Sequence, residues 1–407
     1  MIDLPQDALN AWRKKAYERF LAIGFPKPKQ EAFQYLPLSK LESVWPKTFA
    51  PRSTLSKGDI ASAILPECET AHLVFVDGYF DSTLSSIPKG LLCLPLDAAL
   101  KSYGLFLQNR WAKKEEQDPF CLLNYAVHGT GAFLYLPPET VLSQPLQILH
   151  VMTGKSIASP RLQVTVGKAS ELRLVQTVLP LGQVFCNSSI DIALEAEASL
   201  HWLDVQLLPA DAWAFGALRA SLKRGARLQA LHATNGAETV RLSAQIELLE
   251  ENSSALLQGL SMLTGQRQSH LNCLVEHAAP HCQSRQHIKM ALNGQSRSSF
   301  EGKIFVRPIA QKTEAYQLNN NLLLSDEAAV HTKPNLEILA DDVKASHGAT
   351  VAQLSEEALF YLRSRGLDAP AARTLLLEAF CRELIDTVGI ASLKEILLAA
   401  MTRMLHG

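Results

Sequence analysis

From residue 162 onward, apolar and polar side chains alternate in short runs: Leu162, Val164, Val166; Leu172, Leu174; Ile190, Ile192, Leu194; Leu200, Trp202; Val240, Leu242, Ala244, Ile246, Leu248. A period of two marks strands that bury one face. Small residues recur just ahead of such runs, in Lys168-Ala169-Ser170-Glu171-Leu172, Glu197-Ala198-Ser199-Leu200, Gly225-Ala226-Arg227-Leu228 and Ser253-Ser254-Ala255-Leu256. These starts fall about 28 residues apart, within the range of stacked-coil architectures. A single coil of that size cannot bury its inner face, so neighbours must stack and satisfy each other's backbone groups. The pattern predicts a parallel β-helix; an ordinary β-sandwich with accidental spacing is the competing reading.

The flanks follow other periods. Residues 1–135 are mixed, and mostly helical segments are expected: Leu9, Trp12, Ala16 and Phe20 lie at helical spacing before Gly24, and 96–113 and 119–128 read as helices. Leu73-Val74-Phe75-Val76 followed by Asp77-Gly78 reads as a strand and turn. Residues 350–407 return to helical spacing. Ser355 is placed to cap one helix, and Asp368 with Pro370 just inside to start the next. Ser392-x-x-Glu395 reads as a capping box opening the last helix.

The chain has 407 residues, which points to two or three structural units. With 47% hydrophobic and 19% charged residues it is a folded globular composition. A net charge of -1 gives no electrostatic reason to expect nucleic acid or an anionic membrane as partner. Seven scattered cysteines without a C-x-x-C argue against a disulfide framework or a self-contained zinc or iron–sulfur site. The opening Met1-Ile2-Asp3-Leu4-Pro5 is no signal peptide, Asp3, Asp7 and Glu18 disfavour a transit peptide, and no apolar run approaches the ~18 residues of a membrane span. A cytoplasmic protein is expected. Nucleotide P-loop, G-x-G-x-x-G and G-x-S-x-G motifs are absent from the sequence.

From Ser298 the sequence becomes specific. Ser299-Phe300-Glu301-Gly302-Lys303-Ile304-Phe305-Val306 leads to Ala310-Gln311-Lys312-Thr313-Glu314-Ala315-Tyr316-Gln317, Asn319-Asn320-Asn321-Leu322-Leu323-Leu324-Ser325 and Pro334-Asn335-Leu336-Glu337-Ile338. Then come Ala340-Asp341-Asp342-Val343-Lys344-Ala345-Ser346-His347-Gly348-Ala349-Thr350 and Leu359-Phe360-Tyr361-Leu362-Arg363-Ser364-Arg365-Gly366. This ordered series closely resembles the SufB/SufD family of iron–sulfur cluster assembly proteins. With Glu31 to Tyr35 and His277-x-x-Pro280, the resemblance spans most of the chain.

The resemblance implies a mainly β fold: a central right-handed parallel β-helix over 136–349, between an N-terminal mixed helical domain (1–135) and a C-terminal helical domain (350–407). It implies a non-catalytic scaffold subunit of the SUF assembly complex that pairs with a SufB-like subunit and binds a SufC-like ABC ATPase. SufB-like chains carry a cysteine where this one has Asn319, and His-Glu-Ala-Thr where it has His347-Gly348-Ala349-Thr350; SufD-like chains keep His-Gly-Ala-Thr. Many SufD-like chains have Lys-Cys-Ser-His, but Ala345 stands in that place here, so no thiol acts there.

By the same resemblance His347 is the candidate ligand for iron or a cluster, shared with a partner cysteine. Asn319, Asn321, Leu323 and His347 are expected at the subunit interface, and Leu359, Phe360, Tyr361, Arg363, Arg365 and Gly366 at the ATPase-docking site. A helical cap over the open end of the β-helix is the plainer reading of that last segment. No cofactor is expected to stay on the chain alone, iron or a cluster being transient at the interface, and the isolated chain is expected to be able to self-associate. Asp341 and Asp342 resemble a carboxylate pair but sit in a turn-like run. The His270, Cys273, His277, His281, Cys282, His287 stretch invites a zinc reading that Pro280 interrupts. Two alternatives compete: a SufB-like homodimeric cluster scaffold, and a β-helix carbohydrate-active enzyme.

Overall fold

In the computed structural model, which describes residues 4, 7–45, 51–112, 115–154 and 156–406, each coil contributes one strand to each of two facing sheets. The ten-stranded sheet runs in space through Tyr79–Ser86, His72–Val76, Leu146–Met152, Glu171–Pro180, Ser199–Gln206, Arg227–Thr234, Ser254–Leu263, Gln283–Leu292, Thr313–Leu323 and Val343–Gln353. The nine-stranded sheet runs through Leu92–Pro95, Ala132–Leu136, Arg161–Val166, Phe185–Leu194, Trp213–Leu222, Thr239–Leu248, Gln268–His277, Arg297–Val306 and Ala329–Ile338. All neighbours are parallel except the first pair in each sheet, which is antiparallel. The molecule is therefore a parallel β-solenoid, and the strands between 72 and 95 hydrogen-bond onto its first coils.

Register shows why about 28 residues recur. Glu171 stacks on Ser199, Ser199 on Arg227 and Arg227 on Ser254, steps of 28, 28 and 27 residues. The step grows to 31 between Gln283 and Glu314. One corner of each coil is a residue in the left-handed region: Ala169, Glu197, Gly225, Asn252, His281 and Lys312, with φ between 53° and 66°. Each donates its N–H to a carbonyl one coil on, those of Ala196, Arg224, Glu251, Pro280, Gln311 and Asp342. Non-glycine residues hold this conformation only where surrounding bonds fix it. The next residue points inward at the tight corner and is small and buried: Ser170, Ala198, Ala226, Ser253, Cys282 and Thr313. That is the recurrent small residue seen in the sequence.

Inside, identical positions of successive coils form columns. Ile192, Ala220, Ile246, Val275, Ile304 and Leu336 stack in one, Leu172, Leu200, Leu228 and Ala255 in another. Up to Val275 these columns belong to one long hydrophobic core, and Ile304 and Leu336 to a second cluster at the last coils; such burial is the main source of stability in a stack.

Helices cover both outer faces. The helix Asn10–Ile23 ends at Gly24, whose N–H returns to the Phe20 carbonyl, and it packs against Pro119–Val127. Phe120 stacks on Phe215 of the nine-stranded sheet at 4.2 Å. Beneath that layer lies a buried ionic clamp. Glu116 takes Arg219 Nε and Nη2 at 2.7 and 3.0 Å, and Asp118 takes Arg241 Nη1 at 2.7 Å. Burial pushes both carboxyl groups up, but the Arg219 and Arg241 guanidiniums outweigh it and hold them below the usual carboxylate range.

The helices Ala369–Ile385 and Ala391–His406 lie on the outer face of the ten-stranded sheet, where Leu377, Leu384, Leu397 and Met401 pack on Val205, Leu231, Leu260 and Met262. Ser355 and Asp368 cap as expected, accepting from Ala358 N and Ala371 N. The predicted capping box does not form. Ser392 lies inside its helix and gives both its N–H (3.0 Å) and its hydroxyl (2.5 Å) to the carboxylate of Glu67, a cap supplied from the far end of the chain. These helices are not a lid on the solenoid: they flank its side and leave its end open.

Candidate functional site

The two last strands, Val343–Gln353 and Ala329–Ile338, are the outer edges of their sheets. Each is hydrogen-bonded on one side only, so a row of backbone N–H and C=O groups faces outward. Half-buried Leu336, Ile338, Val343 and Ala345 line the mouth between them.

His347 belongs to that mouth. It stacks in register on Gln317, which stacks on Gln286, in a column that begins with Leu174, Trp202, Ala230 and Leu257. The inward column thus turns from apolar to polar in its last three rungs. Gln317 Nε2 donates to Gln286 Oε1 at 2.6 Å, and that oxygen also accepts from Cys273 Sγ at 3.0 Å. Gly302 of the facing sheet makes the space: a Cβ there would lie 2.2 Å from Gln317 Nε2 and 2.4 Å from the Phe300 ring. The imidazole of His347 is exposed, and among the described residues it has no hydrogen bond or ion pair within the chain. Gln317 Oε1 and Thr332 Oγ1 are buried without a partner close behind.

The other residues expected at the interface behave differently. Asn319 and Asn321 face inward and are buried, because their parity along Thr313–Leu323 is that of Gln317. Asn319 Nδ2 donates to the Ile288 carbonyl at 3.3 Å; Asn321 Nδ2 donates to Asn319 Oδ1 at 2.7 Å and to the Thr350 carbonyl at 2.9 Å. They brace the last strand from within and are not on the surface. Leu323 is half-buried against the core.

The docking candidates split by helical face. On Glu356–Ser364 only Leu359 is buried, while Phe360 is 75% and Tyr361 56% exposed. Arg363, Arg365 and Gly366 are exposed too, and the Arg365 guanidinium lies 5.2 Å from the Tyr361 ring centroid. Leu367 and Leu375 extend this apolar surface.

The zinc reading fails on geometry. Cys273 and His277 face the interior, His270 the opposite face, and the strand ends at His277 before His281 takes the left-handed corner. Among the described residues no three His, Cys, Asp or Glu side chains gather around one point. Asp342 pairs with Lys312 across an exposed turn. All seven cysteines are free, and six are buried. Burial pushes the thiols of Cys68, Cys93, Cys186 and Cys381 up to about 12, so they stay protonated and weakly nucleophilic. No helix among the described residues is long and apolar enough to cross a membrane.

Sequence reasoning missed Gln286, Gln317 and Gly302 as parts of the mouth. Their signal was the coil register, which sets them in line with His347.

The fold and its open end define the class: a two-sheet parallel β-solenoid whose last coil is left unpaired beside His347. Residues 150–380 match the SUF system FeS cluster assembly SufBD core domain, and residues 3–148 match the SufBD protein N-terminal region. The chain belongs to the SufBD family and is SufD-like within it. It is 29% identical to an iron–sulfur cluster assembly SufBD family protein of Synechocystis, over 94% of this chain and 88% of that one. It is 27% identical to the iron–sulfur cluster assembly protein SufD of Escherichia coli, over 96% and 92%. It is 25% identical to the chloroplastic protein ABCI7 of Arabidopsis thaliana, over 92% and 81%.

Proposed function

We propose that this chain is a non-catalytic scaffold subunit whose open solenoid end is covered by a SufB-like, cysteine-bearing sister. His347 then lies in the seam and lends one imidazole to iron or a nascent cluster, the other ligands coming from the sister. The observation that carries this reading is the register of His347: an inward position on a strand with nothing beyond it. Two unpaired edges can extend each other's sheets, burying backbone groups that water otherwise satisfies. Because six of the chain's seven thiols are buried and none of the seven lies on the last two strands, a thiolate ligand has to come from the partner.

The exposed Phe360 and Tyr361 face is the proposed seat of a SufC-like ABC ATPase, since two large neighbouring aromatics with flanking arginines have the make-up of a binding hot spot. Nucleotide-driven movement of that subunit would bias the seam between closed and open states. The cargo is a substrate, held only while the seam is made, and the chain works in the cytoplasm.

Tagged full-length protein should retain a SufB-like chain and an ABC ATPase through purification. His347→Ala should leave folding and complex formation unchanged and lower the rate of cluster assembly by tenfold or more (about the value of one metal ligand or its support). Normal assembly by that variant would remove the ligand role. Isolation as a lone homodimer holding a stable cluster would favour the SufB-like reading instead.

A further inference from the structure

A second site lies far from the open end, between the helix Asn10–Ile23, the helix Leu96–Ala112 and the start of the nine-stranded sheet. It is a cavity of about 80 Å³ with an apolar wall from Leu9, Ala16, Leu96 and Leu122. Two hydrogen-bond donors on its lining have no acceptor among the described residues: the buried Trp111 Nε1 and the Nε of Arg161, a side chain 5% exposed. The Arg161 guanidinium is held flat, 3.7 Å from the Tyr125 ring centroid and 5.6 Å from that of Trp111. Its own carboxylate contact is thin, Nη2 reaching Asp191 Oδ2 at 3.5 Å while Gln163 and Tyr125 also bind Asp191.

The charge balance around the cavity is positive. Arg13 is matched by Asp7, and Glu116 by Arg219. Lys15 and Arg19 remain at the rim with no carboxylate partner among the described residues, Arg19 donating to the Glu116 carbonyl and Lys15 lying 5.8 Å from the Trp12 ring centroid. A buried guanidinium N–H without an acceptor is costly, and a fixed planar edge of this kind suits a carboxylate.

We infer that this cavity is a binding site for a small monocarboxylate with a short apolar body. The carboxylate accepts from Arg161 Nε and Trp111 Nε1, and the body packs on Leu96 and Leu122. The size of the cavity excludes nucleotides, and its apolar wall disfavours inorganic phosphate.

The test uses the full chain and three probes: benzoate, neutral benzyl alcohol and inorganic phosphate. Benzoate should bind saturably at millimolar concentration or below, raise the unfolding midpoint and change tryptophan fluorescence. Trp111→Phe, which keeps the ring and removes the donor, should weaken benzoate about three- to tenfold. Arg161→Lys, which keeps the charge and loses the planar fork, should weaken it about tenfold. Circular dichroism of each variant without ligand confirms the fold; should Arg161→Lys not fold, Trp111→Phe decides alone. No saturable benzoate binding, equal binding of benzyl alcohol or phosphate, or unchanged affinity in Trp111→Phe would each overturn the assignment.

Discussion

The two ends of the solenoid solve the same problem in opposite ways. At the first coils, antiparallel strands Tyr79–Ser86 and Leu92–Pro95 terminate the sheets, and the helical layer over the nine-stranded sheet is pinned further along, where buried Glu116 and Asp118 hold Arg219 and Arg241 of its middle strands. At the last coil, both edge strands are parallel, unpaired and half-exposed, and the C-terminal helices stand to the side. Buried polar atoms go unpartnered among the described residues at both ends, Trp111 Nε1 and Arg161 Nε towards the first coils and Gln317 Oε1 and Thr332 Oγ1 at the last, and at the last coil an inward-column side chain, His347, stands exposed. On the proposed reading the contrast separates stability from recognition: the covering helices hold the fold together, and the open end receives the partner.

Substitutions can test that division, beginning with the ionic clamp under the N-terminal helices. Glu116→Ala strands Arg219 without its carboxylate in a buried site, and should cost about 3–5 kcal/mol in urea unfolding with the SufB-like partner's affinity little changed. Next comes acid. Burial lowers His150 and His277 to about 4 and His270 to about 3, against 6.5 for the free side chain. Between those limits the unfolded chain binds protons that the native one refuses, so stability rises with pH across the window and is lost as pH falls from 6.5 towards 4. His277 alone should contribute on the order of 3 kcal/mol, and His277→Asn should flatten the slope of unfolding midpoint against pH. Smaller again, Ser392→Ala removes the hydroxyl's bond to Glu67, leaves the backbone one, and should cost about 1 kcal/mol, read from the same unfolding curves. At the open end Val351→Asp should shift stability by no more than ~0.5 kcal/mol, because Val351 is 50% exposed. It should nevertheless abolish retention of the SufB-like chain, by placing a charge in the proposed seam. A large stability loss in Val351→Asp, or lost partner binding in Glu116→Ala, would break the division.

Much of this was legible in the sequence because a solenoid writes its geometry periodically. Alternation gave the strands, and the small residues at Ser170, Ala198, Ala226 and Ser253 gave the coil length, since the tight corner favours small side chains. The corner itself was not legible. Its left-handed positions hold Ala169, Glu197, Asn252, His281 and Lys312, and only Gly225 is the residue that such backbone favours. Side-chain direction at the open end was also hidden. Asn319 and His347 sit in neighbouring strands with the same inward parity, yet one is buried and the other exposed, because only one has a further coil above it. Nor could local spacing reveal that Ser392 would meet Glu67, which is 325 residues away in the chain. The family resemblance picked out His347; the fold supplied Gln286, Gln317 and Gly302 around it.

The unpaired edge Val343–Gln353 has a consequence for the protein before it meets any partner. A long strand with free backbone groups is a template for indiscriminate pairing, and this one is not blunted by proline or a bulge. Copies whose edge stays uncovered would be prone to aggregation through that strand. If a SufB-like sister covers it as proposed, balanced production of the two chains becomes a demand that the architecture itself places on the cell.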